Sequence, residues 1–237
     1  MTAIIRPRPW VQQPQFVTGI DRSNVFGAAV SEAWSFANLA SVVSGESVIK
    51  NGATHGAGAA GRSLDTLVGG ATSAIQLLAD SSKFPTDQCS IVYVCQRAGS
   101  DSVADSHVSF AVGAPGGTTA ELHAYIPYID GNVYWRYGDG SGISVSQSVG
   151  TELNTWGFSA GSKYGRQIWR NGAVVASDAT LITRSATSAA FVLGTTDVSA
   201  QPLQKRYLLL VLNKQFDQPM FKALMANPWQ VLRPRVT

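Results

Sequence analysis

Carboxylates and histidines, the side chains that most often carry out acid–base catalysis, are few and scattered in this chain of 237 residues. The four glutamates each stand alone, at Glu32, Glu46, Glu121 and Glu152. A glycosidase needs two carboxyl groups facing each other across roughly 5 to 10 Å, and no strand-like segment offers such a pair, although loops could still assemble one. His55, His107 and His123 are widely separated, and no Gly-x-Ser-x-Gly sequence marks a nucleophile. The sequence therefore predicts a protein that is not an enzyme and has no catalytic residues.

Metal ligands and reactive thiols are equally sparse. The aspartates of the turn-like segments lack the alternating acidic spacing of a calcium loop, and aspartate beside glycine is ordinary turn chemistry. Cys89 and Cys95 lie six residues apart in one strand-like run, which would separate them by about 20 Å, far more than a disulfide spans. With no CxxC pair and no histidine nearby, we expect two reduced core thiols, no metal site and no cofactor.

Aromatic side chains supply the main candidates for ligand binding. Five of them surround the turn Asp130-Gly131-Asn132, namely Tyr125, Tyr128, Tyr134, Trp135 and Tyr137. Exposed tyrosine and tryptophan rings can stack on sugar rings, so these five are candidate glycan-binding residues. Strand alternation offers a second interpretation, since Tyr134 and Trp135 then face opposite sides of a sheet and one set belongs to the core.

The positive charge is concentrated at the two ends of the chain. Two arginines and a tryptophan lie near each end, namely Arg6, Arg8 and Trp10, then Trp229, Arg233 and Arg235. The four arginines exceed the whole net charge of +3, so the intervening chain is slightly acidic and does not suit nucleic acid. Either the tryptophans pack the termini onto the body, or both ends are arms that bind a partner through these six residues.

The elements that would position these residues are short strands. Runs rich in apolar and aromatic residues alternate with Gly, Asn, Asp and Ser at the spacing of an all-β sandwich, for example at residues 89–96, 108–112, 133–137, 166–170 and 205–213. Asn171-Gly172 predicts a tight type I′ hairpin. One short helix is predicted over residues 219–226, because Asp217 can cap its start and Pro228 ends it. Residues 51–61 are rich in Gly and Ala and predict a loop. We divide the chain into an extended Pro/Arg-rich arm (1–18), one sandwich (19–226) and a C-terminal arm (227–237).

Several segments together resemble a known superfamily. The Trp156 strand, the run from Arg166 to Ala176 with its Asn-Gly hairpin, and Phe191-Val192-Leu193-Gly194 resemble the laminin-G-like, concanavalin A-like jelly-roll domains. The end of the chain, with Asn227-Pro228-Trp229-Gln230 after a strand and a short helix, is similar to virion proteins of tailed bacteriophages that carry such a domain. The match touches most of the chain, but the clustered acidic residues of calcium-binding or glucan-cleaving members are absent.

The strand pattern and the resemblance together predict a jelly-roll sandwich, and the resemblance implies a non-enzymatic phage virion protein on the virion surface. The first residues lack the apolar stretch and the cleavage site of a signal peptide, so we expect synthesis in the host cytoplasm. We expect a capsid decoration or cement protein, a homo-oligomer held by its arms to the major capsid or tail protein. The alternatives are a glycan-binding module of a tail or fibre that contacts host polysaccharide, and a tail or neck assembly protein. No apolar run reaches the roughly 20 residues that span a bilayer, so no membrane partner is expected.

Overall fold

Short strands with alternating inward and outward side chains make up most of the protein. The computed structural model describes residues 13–14, 17–38, 40–49, 53–65, 75–97, 108–112, 121–128, 130–138, 142–185, 188–194 and 204–234. The strands in these ranges are β1 (Val17–Ile20), β2 (Val30–Ser35), β3 (Thr54–Gly58), β4 (Gly61–Asp65), β5 (Ile75–Leu78), β6 (Cys89–Arg97), β7 (Val108–Val112), β8 (Leu122–Tyr125), β9 (Asn132–Tyr137), β10 (Ile143–Ser146), β11 (Leu153–Ala160), β12 (Arg166–Arg170), β13 (Ala173–Asp178), β14 (Phe191–Leu193), β15 (Gln204–Leu212) and β16 (Leu232–Pro234). The helices are α1 (Val25–Ala29), α2 (Gln218–Ala226) and a 3-10 helix at Pro228–Val231.

Two large antiparallel sheets are formed by the described strands. One has the order β10-β9-β8-β7-β14-β5, and the other has the order β13-β12-β11-β6-β15-β4-β3, with β2 added beside β15. β15 pairs with β6 along one edge, and its other edge is divided, because its first residues pair with β4 and its later residues pair with β2. The sheets form a jelly-roll-type β-sandwich, which confirms the predicted fold class, and α2 is the predicted C-terminal helix.

The inner core lies between the two sheets and is rich in aromatic rings. Phe110 of the six-stranded sheet is fully buried, with ring centroids 5.5 Å from Phe158 and 5.8 Å from Tyr93 of the facing sheet. Trp34 and Trp156 are also buried there. Because large rings from both sheets interdigitate, the inner core fixes which face of each strand points inward.

A second apolar layer, the outer cluster, covers the opposite face of the eight-stranded sheet. It joins alternate residues of the central strands to the helices and the terminal segments, and includes Ile20, Phe26, Val92, Val94, Trp169, Leu208, Leu210, Phe221, Leu224, Trp229 and Leu232. β6 and β15 are therefore buried on both faces. This explains why they are continuous hydrophobic runs rather than alternating ones.

Local sequence signals at the hairpin and the helix are confirmed. Asn171 and Gly172 have φ angles of 50° and 84°, and Arg170 pairs with Ala173 across this two-residue turn. At α2, the Asp217 side chain accepts a hydrogen bond of 2.9 Å from the backbone N–H of Met220. The helix ends at Ala226, two residues before Pro228.

The glycine-rich segment 51–61 differs from its prediction as a loop. Residues 54–58 form β3, which pairs in a hairpin with β4. A Cβ on Gly58 would lie 2.0 Å from the hydroxyl oxygen of Tyr207, so the absence of a side chain allows β3 to approach the end of β15. Glycine here permits a close approach of the backbone to a buried ring. A prediction from residue propensities instead interprets the glycines as a turn.

The C-terminal segment packs into the body as far as it is described. β16 pairs with β1, with Val17 opposite Pro234 and Ile20 opposite Leu232. Trp229 is 7% exposed and belongs to the outer cluster, whereas Arg233 is exposed. The segment predicted as a C-terminal arm, 227–237, therefore differs from that prediction, because residues 228–234 form a 3-10 helix and a strand that cover the sheet.

Substitutions of Trp229 and Arg233 are expected to differ sharply in their effect on stability. Trp229→Ala removes a buried ring from the outer cluster and should lower the free energy of unfolding by about 3–5 kcal/mol in chemical denaturation. Arg233→Ala is the matched control. Its side chain is 60% exposed and lies 3.7 Å from Asp21, so little change is expected. Equal effects of the two changes would contradict the assignment of Trp229 to the core.

Candidate functional site

Three tyrosines, Tyr125, Tyr128 and Tyr134, pack against one another on the outward face of the six-stranded sheet. We call them the tyrosine cluster. Their ring centroids are 4.7 Å apart for Tyr125 and Tyr128, 5.6 Å for Tyr128 and Tyr134, and 6.1 Å for Tyr125 and Tyr134, all edge to face. Tyr128 is 38% exposed, and the other two are half-buried. The cluster therefore presents a rigid aromatic surface to solvent.

Strand register places these rings together. Tyr125 of β8 lies opposite Tyr134 of β9 in the antiparallel ladder, so the two side chains leave the sheet on the same face. Tyr128 belongs to the connecting turn, where its N–H donates to the carbonyl of Asn132 at 2.7 Å and its carbonyl accepts from the N–H of Gly131 at 2.8 Å. The turn thus folds the third ring over the first two.

Trp135 and Tyr137 do not belong to this surface, which corrects their assignment as glycan-binding candidates. Both are fully buried in the inner core. The indole N–H of Trp135 donates to the carbonyl of Ser159 at 3.2 Å, and the hydroxyl of Tyr137 donates to the carbonyl of Pro85 at 2.9 Å. They alternate with Tyr134 along β9, so the pleat sends them to the opposite face.

Asp130 holds one side of the tyrosine cluster in place. Its carboxylate accepts hydrogen bonds from the hydroxyl of Tyr134 and from the backbone N–H of Asn132, the latter at 2.9 Å. The hydrogen bond from Tyr134 lowers the pKa of Asp130 and, reciprocally, raises the pKa of Tyr134. Asp130 is therefore a carboxylate at neutral pH and fixes the orientation of the Tyr134 ring.

Two further residues share the outward face and were not singled out from the sequence. His123 of β8 lies opposite Arg136 of β9, and both are half-buried. The ring of His123 is 5.2 Å from that of Tyr125, again edge to face. Counting by twos from Tyr134 would have found Arg136, and counting by twos from Tyr125 would have found His123.

The tertiary structure also brings two of the isolated glutamates to one cavity of about 360 Å³. Glu32 and Glu46 line it together with Asp80 and Lys83. Burial raises the pKa of Glu32, whose carboxylate accepts hydrogen bonds from Ser41 and Ser44.

The other two carboxylates of this cavity accept backbone hydrogen bonds. Glu46 accepts from the N–H of Ala79 at 3.3 Å, and Asp80 accepts from the N–H of Ser82 at 2.8 Å. All three carboxylates are thus engaged in holding the surrounding loops.

The two cysteines have a structural role. Cys89 and Cys95 are free thiols inside the core, as expected, and burial raises the pKa of each to about 12. A thiol with such a pKa is unreactive at neutral pH.

Among the described residues no group of three or more His, Cys, Asp and Glu is arranged to hold a metal ion. None of the described helices is long and apolar enough to span a membrane.

The predicted partner-binding residues at the chain ends are only partly described. Trp229 is buried and Arg233 is exposed beside Asp21. Arg6, Arg8, Trp10 and Arg235 lie outside the described residues.

Comparison with known proteins gives structural likeness without sequence likeness. No family model and no curated protein matches the chain. A Trypanosoma rangeli sialidase is similar with a TM-score of 0.64 and 10% identity over 86% of this chain and 33% of that chain. The binding domain of Paraclostridial Mosquitocidal Protein 1 is similar with a TM-score of 0.66 and 10% identity over 84% of this chain and 52% of that chain.

A third likeness is to botulinum neurotoxin type C, in a structure whose description makes cell entry dependent on two ganglioside molecules. Its TM-score is 0.59, with 9% identity over 86% of this chain and 52% of that chain. The chain thus spans about a third of the sialidase and half of each toxin chain. The likeness establishes a β-sandwich that occurs both in an enzyme and in binding proteins, and the virion origin implied by the resemblance has no counterpart among these three structures.

The coupling between Tyr134 and Asp130 can be tested by removing one hydroxyl. Tyr134→Phe deletes the donor that lowers the pKa of Asp130, so that pKa should rise toward the ordinary aspartate value in a carboxyl NMR titration. Because the folded-state pKa is the lowered one, the stabilisation from this hydrogen bond is present at neutral pH and is lost as pH falls through that value. Tyr128→Phe is the control, and an equal shift in that variant would contradict the assignment.

Proposed function

We propose that this protein is a non-enzymatic glycan-binding β-sandwich that contacts saccharides through the tyrosine cluster. The observation that carries the proposal is the group of three mutually packed rings on an outward sheet face, one of them 38% exposed. Tyrosine suits this role because its ring offers apolar area while its hydroxyl exchanges hydrogen bonds with a polar ligand.

The packing of the rings supports binding of a ligand that is itself rigid and polar. Each tyrosine is held edge to face by the other two, and Asp130 fixes Tyr134 further. Little side-chain freedom is then lost when a sugar ring is bound, and this lowers the entropic cost of association.

A binding role is favoured over glycoside hydrolysis by the state of the carboxylates. Hydrolysis of a glycosidic bond uses a carboxylic acid that is protonated at the working pH, opposite a second carboxylate. Beside the tyrosine cluster, the carboxylate among the described residues is Asp130, and its pKa is lowered. Glu32, whose pKa is raised by burial, lines a cavity to which none of the three tyrosines contributes, and its carboxylate accepts hydrogen bonds from Ser41 and Ser44.

Alanine substitutions in the tyrosine cluster should weaken binding without unfolding the protein. Tyr128→Ala and Tyr134→Ala each remove a partly exposed ring, and about five- to tenfold weaker binding is expected for the loss of ~1 to 1.5 kcal/mol of aromatic contact. A glycan array would identify the ligand, and calorimetry would measure its affinity. Tyr164→Ala, in a half-buried tyrosine of the 161–165 turn, is the control. If both cluster variants bind as the wild type does, the proposal fails.

We further propose that the terminal segments attach this domain to a larger assembly, a virion in the interpretation that the resemblance implies. Its supporting observation is that both segments continue from firmly held points. β16 pairs with β1, and Gln13 donates from its side chain to the carbonyl of Tyr207 at 2.9 Å and to Ser35 at 3.0 Å. A terminal segment that is held by the sandwich at one end can link the sandwich to a partner. Arginines in such a segment suit an acidic partner surface.

Removal of one segment separates attachment from glycan binding. Deletion of residues 1–10 should abolish incorporation into purified particles, while the deleted protein still folds and binds glycan, because Gln13 and the tyrosine cluster are retained. Copy number per particle would be measured by quantitative mass spectrometry. An unchanged copy number would contradict attachment through the N-terminal segment, and exchanging Arg6 and Arg8 for glutamate tests the charge alone.

A further inference from the structure

The outward face beside the tyrosine cluster has a cationic end. Arg136 follows Tyr134 by two residues along β9, so the two side chains leave the same face about 7 Å apart. The alternating neighbours Trp135 and Tyr137 point into the core. Burial raises the pKa of Tyr125, and the positive charge of Arg136 acts in the opposite direction, so the guanidinium lies close to the rings.

Arg136 has no carboxylate partner within the described part of the chain. Four other described arginines do form ion pairs, namely Arg166 with Asp178, Arg170 with Glu152, Arg184 with Glu121 and Arg233 with Asp21. The Nε of Arg136 is shielded from solvent, and no described acceptor receives a hydrogen bond from it. A guanidinium carries five N–H donors in a planar fork, so one left unpaired beside a binding surface retains capacity for an anionic group.

The charges on the two sides of Tyr134 make the surface electrostatically asymmetric. Asp130 is a carboxylate bound to the hydroxyl of Tyr134 on one side, and Arg136 lies on the other. An anionic group is repelled from the Asp130 side and attracted to the Arg136 side. The rings lie between the two, where they can contact the sugar ring that carries the anion.

We propose that the saccharide bound here is acidic and that its carboxylate pairs with Arg136 while its ring contacts the tyrosine cluster. A carboxylate matches the guanidinium fork with two parallel hydrogen bonds. This inference rests on the proposed glycan-binding function and adds the ligand class and the residue that selects it.

The test uses the full chain and a panel of polysaccharides of known charge. Polygalacturonate, alginate and polysialic acid supply carboxylates, dextran and xyloglucan are neutral, and dextran sulfate carries sulfate alone. The carboxylated polysaccharide that binds best is then compared with its carboxyl-reduced form, which keeps the chain but removes the charge. The acidic form should bind at least about tenfold more tightly, and added salt should reduce the difference.

Variants of Arg136 link the preference to this residue. Arg136→Gln should lower affinity for the acidic form to that of the reduced form, and Arg136→Lys should restore part of it, because a lysine keeps the charge without the fork. Arg62→Gln, at an exposed arginine of β4, should change nothing. Thermal unfolding of each variant checks that the sheet is intact.

The outcomes separate this inference from the proposed function. If neutral polysaccharides or only the sulfated one bind best, with dependence on Tyr134 but not on Arg136, the acidic-saccharide inference is overturned and glycan binding stands. If no polysaccharide binds, or binding is indifferent to Tyr134, both are overturned. Preference for a carboxylated chain that is lost in Arg136→Gln supports both.

Discussion

The burial of β15 on both faces is the constraint on which the rest of the structure depends. Leu209 and Val211 of this strand face the inner core, while Leu208 and Leu210 face the outer cluster. β6 lies beside it with the same arrangement, as Ile91 and Val92 belong to opposite layers. Two strands with apolar groups on both sides need a cover on each side. The facing sheet supplies one cover, and the helices with the terminal strands supply the other.

The six-stranded sheet carries the proposed binding surface on its outward face. Along β8 and β9 each inward residue is buried, while Tyr125, Tyr134 and Arg136 remain half-exposed on the far side. The pleat therefore divides one aromatic-rich segment into two roles. Trp135 and Tyr137 support the sheet from within, and the tyrosine cluster faces solvent on a backbone that this support keeps in place.

The distribution of charge follows the same division. Two arginines of the larger sheet are paired with carboxylates. Arg170 pairs with Glu152 and Arg166 with Asp178, where hydrogen bonds from Thr180 and Arg166 lower the pKa of Asp178 to about 2. The interior thiols are kept neutral by burial. Arg136, beside the tyrosine cluster, has no carboxylate partner within the described chain, and its Nε has no described hydrogen-bond acceptor.

The sequence by itself determined the features that depend on neighbours along the chain. Period-two alternation predicts β9 and the opposition of Tyr134 and Trp135, Asn171-Gly172 predicts its hairpin, and Asp217 predicts the start of α2. Only the tertiary structure decided which face of β9 is the interior, that Glu32 and Glu46 share a cavity, that a glycine-rich segment pairs as β3, and that β1 meets β16. These depend on contacts between residues far apart in sequence, and local conformational preference carries no information about them. Alternation along a strand shows that the strand has two different faces. The layer that packs against one of these faces decides which face is exposed.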